Sequence, residues 1–491
     1  MTKIVKGDTK TEKSDKKAAN PNVTVHEEVK LHESFLAKPI YLRTKKDRYE
    51  AGKKMRLACP VESHAELEVH NRPNPVDILV KSGAGRIQEL LPIRYGRMSV
   101  SPFTFYRGAA AIMASDLSHT PTTGYYVQAC GDCHLANFGA FATAEHRIIF
   151  DINDFDETYP APWEWDVKRL AASFVIACQN NEFSTDDAYF VAKHLVRSYA
   201  QRMHDLAEMT VLEAWAHIDD FQELIKGFKD KKLEKVSEKQ MAKAKKVDGL
   251  HELMKLAHVV REKPEITDFP PLIFHTEEQT HPGFLERAHK TVKRYQDTLP
   301  IERRILLDKY EVSDVAMKVV GVGSVGTFCA ISLLFAGDGD PLFLQIKEAQ
   351  KSVLEPYVTR RKFVSEGERV VYGQRIMQAA GDIFLGHLIG DDGKKHYYIR
   401  KLHDVKIKPV IEEFNFSDML DFARYCGWAL ARAHGRSADP AIIAGYIGKG
   451  KKFAKAIADF SFAYAALNLQ DHEALLNAIK AKIVPAKLDV E

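Results

Sequence analysis

The chain has 491 residues, of which 45% are hydrophobic and 28% are charged, and its formal net charge is +3. This length allows a large buried core and two or three domain-sized units, while the near-balance of charge gives no global argument for a nucleic-acid partner. Six cysteines are too few and too scattered for a disulfide scaffold, so we expect a reducing, cytoplasmic location.

Residues 1–60 are predicted to form a mobile, charged tail and lead-in, because the first thirty residues lack the apolar core of a secretory signal. The pattern of residues 86–118 predicts a basic, aromatic segment followed by a helix that starts at Ser101-Pro102. Three arginines of this segment are expected to be structural ion-pair partners or, alternatively, a phosphate clamp, with Arg107 the first to test: Arg94, Arg97 and Arg107.

The stretch VQACGDCHLANFGAF, residues 127–141, allows two incompatible interpretations. In the first, Cys130-x-x-Cys133-His134 has the spacing of a covalent haem site, and the two thiols alone suggest redox chemistry. No export signal supports haem attachment, and Asp132 between the thiols opposes thiolate formation. We therefore expect both cysteines to be small, half-buried loop residues.

In the second interpretation the same stretch is Gly131-Asp132-x-His134-x-x-Asn137, with an acid and an amide spaced as in the catalytic loop of a phosphotransferase. A strand pattern, RIIFDI, follows and ends in a cluster of acids: Asp151, Asp154, Asp156 and Glu157. Mg²⁺ prefers hard oxygen ligands, which Asn137 and Asp154 would supply. Asp132 would then accept or orient the proton of an attacking hydroxyl.

These residues carry a resemblance to a known superfamily. The run GDCHLANFGAF…FDINDFDE…WEWDVKRLAAS resembles the catalytic half of the aminoglycoside-phosphotransferase and protein-kinase superfamily. The resemblance implies that Asp132 is the catalytic aspartate and that Asn137 and Asp154 are metal ligands. It also implies that Asp166 braces the loop from below and that His134 orders the loop rather than acting as a nucleophile.

Three later stretches are less specific. Residues 226–256 are lysine-rich at helical spacing, which favours a solvated helix face over a patch for an anionic partner. Residues 268–283 are expected to form a loop near the substrate mouth. Residues 319–337 carry no charge, but their four glycines fit a buried strand–turn–strand better than a membrane span.

The phosphate-covering elements of a kinase are predicted within and after that uncharged stretch. Gly321-x-Gly323-Ser324-x-Gly326 follows a strand and leads into a β-hairpin, whereas the glycine turn of a Rossmann fold would lead into a helix. Glycines here let backbone amides approach phosphate. The next strand ends at Lys347, which could reach the α- and β-phosphates of ATP.

A helix is predicted after this strand, and then KKHYYIRKLHDVK as a hinge strand beside adenine, with Arg400 among the nucleotide-binding residues. The acid that pairs with Lys347 should lie on the helix after it. Glu368 is preferred among three candidates: Glu355, Glu366 and Glu368.

The helix FSDMLDFARYCGWALARAHGRSADP ends in a segment that resembles the kinase helix leading into the catalytic loop, yet that loop lies three hundred residues upstream. The motif order is thus a circular permutation of the kinase-like order. Residues 75–450 also resemble an uncharacterised bacterial family known only as a domain of unknown function. That resemblance implies the kinase-like interpretation but no substrate.

We therefore expect an α+β, protein-kinase-like bilobal fold, circularly permuted, with a small antiparallel-sheet lobe and a larger, mainly helical lobe. After the tail, the catalytic half spans 61–310, the nucleotide-binding lobe 311–410 and the completing helices 411–491. The expected activity is ATP–Mg²⁺-dependent phosphotransfer to an unidentified small-molecule or protein acceptor. The alternatives are a nucleotide-binding pseudokinase scaffold and nucleotidyl (adenylyl) transfer.

Overall fold

A computed structural model describes residues 42–69, 71–145, 147–220, 256–260, 263–277, 283–319, 321–359, 361–402, 406–407 and 409–488. Within these ranges the protein is α+β with small antiparallel sheets. Most of the N-terminal tail and of the lysine-rich stretch 226–256 lies outside the described residues. The helices are α1 (Lys45–Lys54), α2 (Pro75–Ser82), α3 (Leu91–Ser99), α4 (Pro102–Gly108), α5 (Ala110–Leu117), α6 (Trp163–Asn180), α7 (Thr185–Glu208), α8 (Val211–Ala216), α9 (Phe284–Gln296), α10 (Ile301–Leu307), α11 (Glu366–Met377), α12 (Phe416–Ser437), α13 (Pro440–Ile447) and α14 (Lys451–Lys480).

Within the described residues the strands pair into four antiparallel sheets. The largest, called the large sheet below, has the order β11-β12-β10-β9-β8-β7, the next is β13-β2-β3, and the others are the pairs β1-β4 and β5-β6. The strands are β1 (Tyr126–Ala129), β2 (Phe138–Ala142), β3 (Ile148–Ile152), β4 (Tyr159–Pro162), β5 (Ala257–Val260), β6 (Lys263–Ile266), β7 (Ile273–Phe274), β8 (Glu311–Lys318), β9 (Cys329–Phe335), β10 (Pro341–Glu348), β11 (Gly386–Ile389), β12 (His396–Lys401) and β13 (Lys406–Ile407).

The large sheet has a hydrophobic core of its own. Tyr295 and Leu299 at the end of α9 pack there with Leu344 of β10 and Ile399 of the adjacent strand β12. The predicted hairpin within this sheet is confirmed, because β9 and β10 pair antiparallel from Pro341 opposite Phe335 onwards. The uncharged stretch 319–337 thus contains a turn and strand β9. Among the described residues, no helix is long and apolar enough to cross a membrane.

The helical part of the protein is built on α6, α7, α12, α13 and α14, which share one large core. The predicted helix at 416–437 is confirmed as α12, and it packs along α7 although more than two hundred residues separate them in sequence. Asn415 caps this helix in a reciprocal pair with Asp418, and apolar residues at three- and four-residue spacing face the core.

The predicted helix does begin at Ser101-Pro102, but it is not continuous. Ser101 caps α4 by accepting a hydrogen bond from Thr104 N at 3.1 Å, but the helix ends at Gly108 and α5 begins at Ala110. The break falls at Ala109, whose φ of −103° and ψ of 27° lie outside the helical region.

Strands β2 and β3 bring two loops together. Phe138 pairs with Ile152, so the residues just outside this pair, Asn137 and Asn153, are neighbours, and Asn153 N donates to Asn137 O at 2.8 Å. The loop before β2 and the acidic segment after β3 therefore emerge side by side at one edge of a small sheet.

Candidate functional site

The loop at 130–137, called the Asp132 loop, is held from beneath by Asp166. The Asp166 carboxylate accepts hydrogen bonds from Cys130 N at 2.6 Å and from Gly131 N at 3.0 Å. Asp166 Oδ2 also lies 3.2 Å from His434 Nε2 on α12. Gly131 has φ +83° and touches the next segment so closely that a Cβ would lie 2.3 Å from Glu157 O. The loop conformation is therefore fixed by one buried carboxylate and one glycine.

Asp132 is a partly exposed carboxylate at the tip of this loop. Its Oδ1 accepts from Arg169 Nε at 2.8 Å and also from Arg169 Nη2, while its Oδ2 lies 3.8 Å from His134 Nε2. Burial raises the pKa of Asp132 above its ordinary value, and the Arg169 guanidinium opposes that rise. Because Arg169 occupies one oxygen, the other is the oxygen available to a ligand.

His134 is buried beneath the loop. Burial, together with the nearby cations Arg169 and Arg107, holds the pKa of His134 well below its usual value, so the imidazole is neutral. Its Nδ1 has no hydrogen-bond partner among the described residues. A neutral, buried ring fits the packing role that the sequence suggested for it.

The acidic segment after β3 meets Lys347 on the large sheet. Lys347 lies opposite Tyr398 in the antiparallel register, so both side chains project from the same face of the sheet. Lys347 Nζ is 2.6 Å from Asp156 Oδ2 and 4.0 Å from Asp154 Oδ1, and the Tyr398 hydroxyl donates to Asp156 Oδ1 at 2.6 Å. Two segments 191 positions apart thus share one cleft.

The Lys347–Asp156 pair is ionised. Burial alone would lower the pKa of Lys347, but the carboxylates of Asp154 and Asp156 hold it well above its usual value. Burial likewise opposes ionisation of Asp156, but Lys347 and the Tyr398 hydroxyl hold the pKa of Asp156 below its ordinary value. For Asp154, burial and the neighbouring Asp156 raise the pKa. Asp154 makes the longer contact with Lys347, at 4.0 Å against 2.6 Å for Asp156.

The glycine loop, residues 321–326, lies over Asp132. Gly321 and Gly326 have φ +71° and +86°, which L side chains rarely adopt. Gly321 O accepts from Arg97, and the Ser324 hydroxyl donates to Asp156 Oδ2 at 3.3 Å. A Cβ on Gly323 would lie 3.1 Å from Arg107 O and 4.0 Å from Asp132 Oδ2. A side chain at position 323 would therefore require Arg107 O to shift by a few tenths of an ångström.

Two predicted nucleotide-binding residues make other contacts. Glu368 accepts from Val364 N at 2.6 Å near the start of α11, and among the described residues the acids within 4.0 Å of Lys347 Nζ are Asp156 and Asp154. Arg400 Nε donates to Gln345 Oε1 at 3.0 Å, and its Nη1 donates to Asn153 O at 3.2 Å. Arg400 therefore ties the large sheet to the acidic segment. Glu366 pairs with Arg369, at 2.7 Å.

The two predicted metal ligands offer hard oxygen atoms. Asn137 Nδ2 donates to Asp132 O at 2.8 Å, which orients the amide and leaves its oxygen for a ligand. The Asp154 side chain is 33% exposed, so its carboxylate is accessible from the cleft. The part of the chain that the structure describes contains no group of three or more His, Cys, Asp or Glu side chains arranged around a metal. A cation bound by Asn137 and Asp154 would draw its other ligands from substrate and water, as Mg²⁺ does.

The cleft contains a cavity of about 60 Å³ between the glycine loop and the Asp132 loop. Basic and acidic side chains both line it; they include Arg86, Arg94, Arg107, Asp132, Asp154 and Glu157. Burial raises the pKa of Glu157 to about 7, and its Oε2 accepts from Val353 N at 2.7 Å. Both signs of charge therefore face one small space.

Several residues of this cleft were not predicted to be functional. Arg169 lies one helical turn after Asp166 on α6, a spacing that places both on one side of the helix. Tyr398 lies two residues before Arg400 on β12, so that the two share a sheet face. Asp156 was one of the predicted acid cluster but was not singled out. The sequence shows the spacing of these residues, but it does not show which residues they contact in the structure.

The thiols of the cysteine motif are buried, with Cys130 1% and Cys133 0% exposed, and both are free. Burial raises the pKa of Cys133 well above its usual value. Cys130 Sγ lies 3.4 Å from Asp154 O, to which it donates. These are packing residues of the loop, and they are more deeply buried than the half-buried positions expected.

Comparison with known proteins gives one match. A family model described as "Uncharacterized protein conserved in bacteria (DUF2252)" matches residues 86–478. No curated protein and no solved structure matches the chain. The matched range contains the Asp132 loop, the acidic segment, the glycine loop and Lys347.

Proposed function

The chain belongs to the DUF2252 family of proteins conserved in bacteria, and we propose that it is an ATP- and Mg²⁺-dependent phosphotransferase acting on a hydroxyl or amine acceptor. The observation that carries this proposal is the convergence of the glycine loop, Lys347, Asp154 and Asp132 on one cleft. A glycine-rich turn, a buried lysine, an oxygen-rich metal site and a carboxylate near the acceptor are the parts that phosphoryl transfer uses.

The proposed fold is protein-kinase-like and bilobal, with residues 311–410 as the nucleotide-binding lobe and a circularly permuted chain order. Contacts at the junction support the permutation. In the unpermuted order α12 would lead directly into β1 and the Asp132 loop. Gln128 N of β1 donates to Ser437 Oγ at the end of α12 at 2.9 Å, and Asp439 N donates to the Tyr125 hydroxyl at 3.0 Å. A circular permutation requires the end of α12 and strand β1 to lie close together, and these two segments are in contact.

In the proposed complex, the glycine loop covers the phosphates of ATP with its backbone amides. Lys347 exchanges its contact with Asp156 for the α- and β-phosphates, since its ammonium projects from the large sheet into the same cleft. When bound, Mg²⁺ neutralises the charge on the phosphate oxygens. Asn137 and Asp154 are the residues that would hold it.

In the transfer step the acceptor oxygen or nitrogen forms a bond to the γ-phosphorus. The bond from that phosphorus to the bridging oxygen breaks, and ADP leaves with the electron pair. The acceptor proton passes to Asp132 Oδ2 and from there to solvent. Arg169 contributes by holding Oδ1, which keeps the second oxygen directed at the acceptor.

The cleft must open before a nucleotide binds. Small-molecule sites usually enclose about 300–1,000 Å³, whereas the cavity here measures about 60 Å³. The glycine loop therefore has to move away from Asp132, which breaks the hydrogen bond between Ser324 and Asp156. Because binding requires this opening, we expect ATP–Mg²⁺ to slow hydrogen exchange at the backbone amides of the glycine loop only once the loop has opened and ATP–Mg²⁺ has bound.

The test uses the full-length protein and ATP labelled at either the γ or the α phosphate, with a metabolite library as the source of acceptors. Lys347→Met should weaken ATP–Mg²⁺ binding about tenfold or more, because it removes a charge-assisted contact to phosphate. Asp132→Asn should retain ATP binding and lower transfer of the γ label about a hundredfold or more, as expected for loss of a general base. Exposed residues provide matched controls, Lys351→Met and Asp186→Asn, both of which should behave as wild type.

The outcomes separate the proposal from its alternatives. Transfer of the α label would indicate nucleotidyl transfer on the same fold. ATP binding with no turnover that depends on Asp132 would indicate a pseudokinase scaffold. Absence of ATP binding in the wild type, with or without Mg²⁺, would refute the proposed function.

A further inference from the structure

One side of the cavity carries a buried arginine without a carboxylate partner. Arg94 on α3 is 2% exposed. Its guanidinium donates to neutral acceptors only, Ser82 Oγ at 3.2 Å, Gly108 O at 3.3 Å and Leu79 O at 3.5 Å. Its Nε has no hydrogen-bond partner among the described residues.

A second arginine lies next to it in the same environment. Arg86 donates to Val325 O at 2.7 Å, to Thr327 Oγ1 at 3.3 Å and to Ser82 O at 3.2 Å. Both guanidinium groups therefore contact Ser82, and both line the cavity. In the described part of the chain, no carboxylate lies within 4.0 Å of either one.

Three other buried arginines provide a comparison for Arg94. Arg169, Arg369 and Arg432 are at most 1% exposed, and each pairs with a carboxylate at hydrogen-bond distance. The protein thus neutralises these three buried arginines internally. Arg94, 2% exposed, has no such partner; Arg400, 5% exposed, also donates to neutral acceptors, Gln345 Oε1 and Asn153 O.

Two neighbouring cations with no anion between them repel each other, and burial makes each charge more costly. Burial and the proximity of Arg86 lower the pKa of Arg94 to about 9, so both side chains are still charged near neutral pH. Of the acids that line the cavity, Asp132 pairs with Arg169 and Asp156 pairs with Lys347. The charge of Glu157 favours the ionised form of both arginines, but burial raises the pKa of Glu157 to about 7 and its Oε2 accepts from Val353 N. Among the described residues no carboxylate lies at ion-pair distance from Arg86 or Arg94, and an anionic ligand would supply that counter-ion.

We propose that Arg86 and Arg94 bind a phosphate group in this cavity. A volume of about 60 Å³ has room for a few water molecules or one phosphate, but not for a nucleoside. Guanidinium groups match the geometry of phosphate oxygens better than any other side chain does. The identification of the molecule that carries this phosphate rests on the proposed function: it is either the terminal phosphate of ATP or a phosphate on the acceptor.

Inorganic phosphate alone is the probe for the site. Calorimetry and thermal melting of the full-length protein should detect phosphate binding to the wild type at millimolar concentration. Arg94→Met and Arg86→Met should each weaken that binding about tenfold or more. Ligand-free Arg94→Met should melt no lower than the wild type, since the variant removes an unneutralised buried charge. Arg303→Met, on an exposed arginine, should bind phosphate as the wild type does.

Nucleotide titrations then distinguish the two sources of the phosphate. If the site takes the terminal phosphate of ATP, ATP competes with inorganic phosphate, and both variants weaken ATP binding far more than ADP binding. If it takes a phosphate of the acceptor, inorganic phosphate and ATP bind together, and the variants leave the affinity for ATP unchanged.

The proposal is overturned if the wild type does not bind phosphate, or if both arginine variants bind it as tightly as the wild type. If Arg94→Met does not fold, Arg86→Met still tests the proposal, because Arg86 is only partly buried. Phosphate binding that depends on both arginines, in a protein that binds no nucleotide, would support the site and refute the proposed phosphotransferase. The two ideas can thus fail separately.

Discussion

Removal of the Asp166 carboxylate should loosen the Asp132 loop and destabilise the protein. In the structure this side chain accepts from two consecutive backbone amides, at 2.6 Å from Cys130 N and 3.0 Å from Gly131 N, and it contacts His434 at 3.2 Å. Asp166→Ala leaves both amides buried without an acceptor. Asp166→Asn retains one acceptor, but its amide NH₂ then faces the second backbone N–H.

The magnitude follows from the number of bonds lost. A hydrogen bond to a charged group contributes about 1.5–3 kcal/mol, and an unsatisfied buried donor costs a comparable amount. The two backbone bonds together predict a loss of about 3–6 kcal/mol for Asp166→Ala, with a smaller loss for Asp166→Asn. A loss of this size is a large fraction of the stability of an ordinary domain.

Denaturation in urea measures the global effect, and hydrogen exchange of the amides at residues 130–134 measures the local one. Asp391→Ala is the matched control, because Asp391 is 81% exposed and its pair with Arg294 lies on the surface; its effect should stay below about 1 kcal/mol. If Asp166→Ala is no more destabilising than this control, or if exchange at Cys130 and Gly131 is unchanged, the bracing role is refuted.

Three further changes test other parts of the structure. Arg432→Met should cost about 3–5 kcal/mol in urea denaturation, because it leaves the buried carboxylate of Asp151 without a cation and removes one of the two arginines that pair with Asp219; a loss below about 1 kcal/mol would contradict this. Burial raises the pKa of Glu157 to about 7 from 4.5, so its ionisation opposes folding as the pH rises through that interval. Glu157→Gln should therefore be neutral below about pH 4.5 and stabilising by about 1–3 kcal/mol above about pH 7 in melting experiments, and an equal effect at both pH values would exclude this cause. Because ATP binding requires the glycine loop to move away from Asp132, the added methyl of Gly323→Ala crowds the closed cleft. This variant should lower stability in urea denaturation by about 1–3 kcal/mol, the usual cost of overpacking, whereas Gly337→Ala, with no atom within 4 Å of the added methyl, should not; equal stability of the two variants would contradict this.

The features that could be predicted from the sequence are those set by local patterns. The β9–β10 hairpin follows from alternating apolar residues around a glycine-rich turn, and α12 follows from apolar positions at three- and four-residue spacing. The Ser101 cap is equally local. In each case the residues that decide the structure lie within one or two turns of each other, so the chain itself contains the information.

The pairings across the cleft could not be predicted in the same way. The partner of Lys347 was sought on the following helix, whereas its ammonium contacts Asp156, 191 positions away. That contact depends on how the large sheet lies over the acidic segment. Likewise, the spacing of Asp166 and Arg169 predicts that they share a side of α6, but nothing local shows that one supports the Asp132 loop from below while the other holds its tip.

Asp156 contacts both the large sheet and the glycine loop, and these contacts explain why Asp156 and Lys347 are both ionised in the closed cleft. One carboxylate accepts from Lys347, from the Tyr398 hydroxyl and from Ser324 of the glycine loop. Three donors on one anion make its ionised form stable despite burial, and the anion in turn keeps the Lys347 ammonium charged. A ligand that displaces Asp156 from Lys347 must therefore be an anion, because a neutral ligand would leave a buried ammonium without a counter-ion. The cavity lined by Arg86 and Arg94 has, among the described residues, no carboxylate at ion-pair distance from either guanidinium. Under the proposed function, phosphate is the anion that meets both requirements.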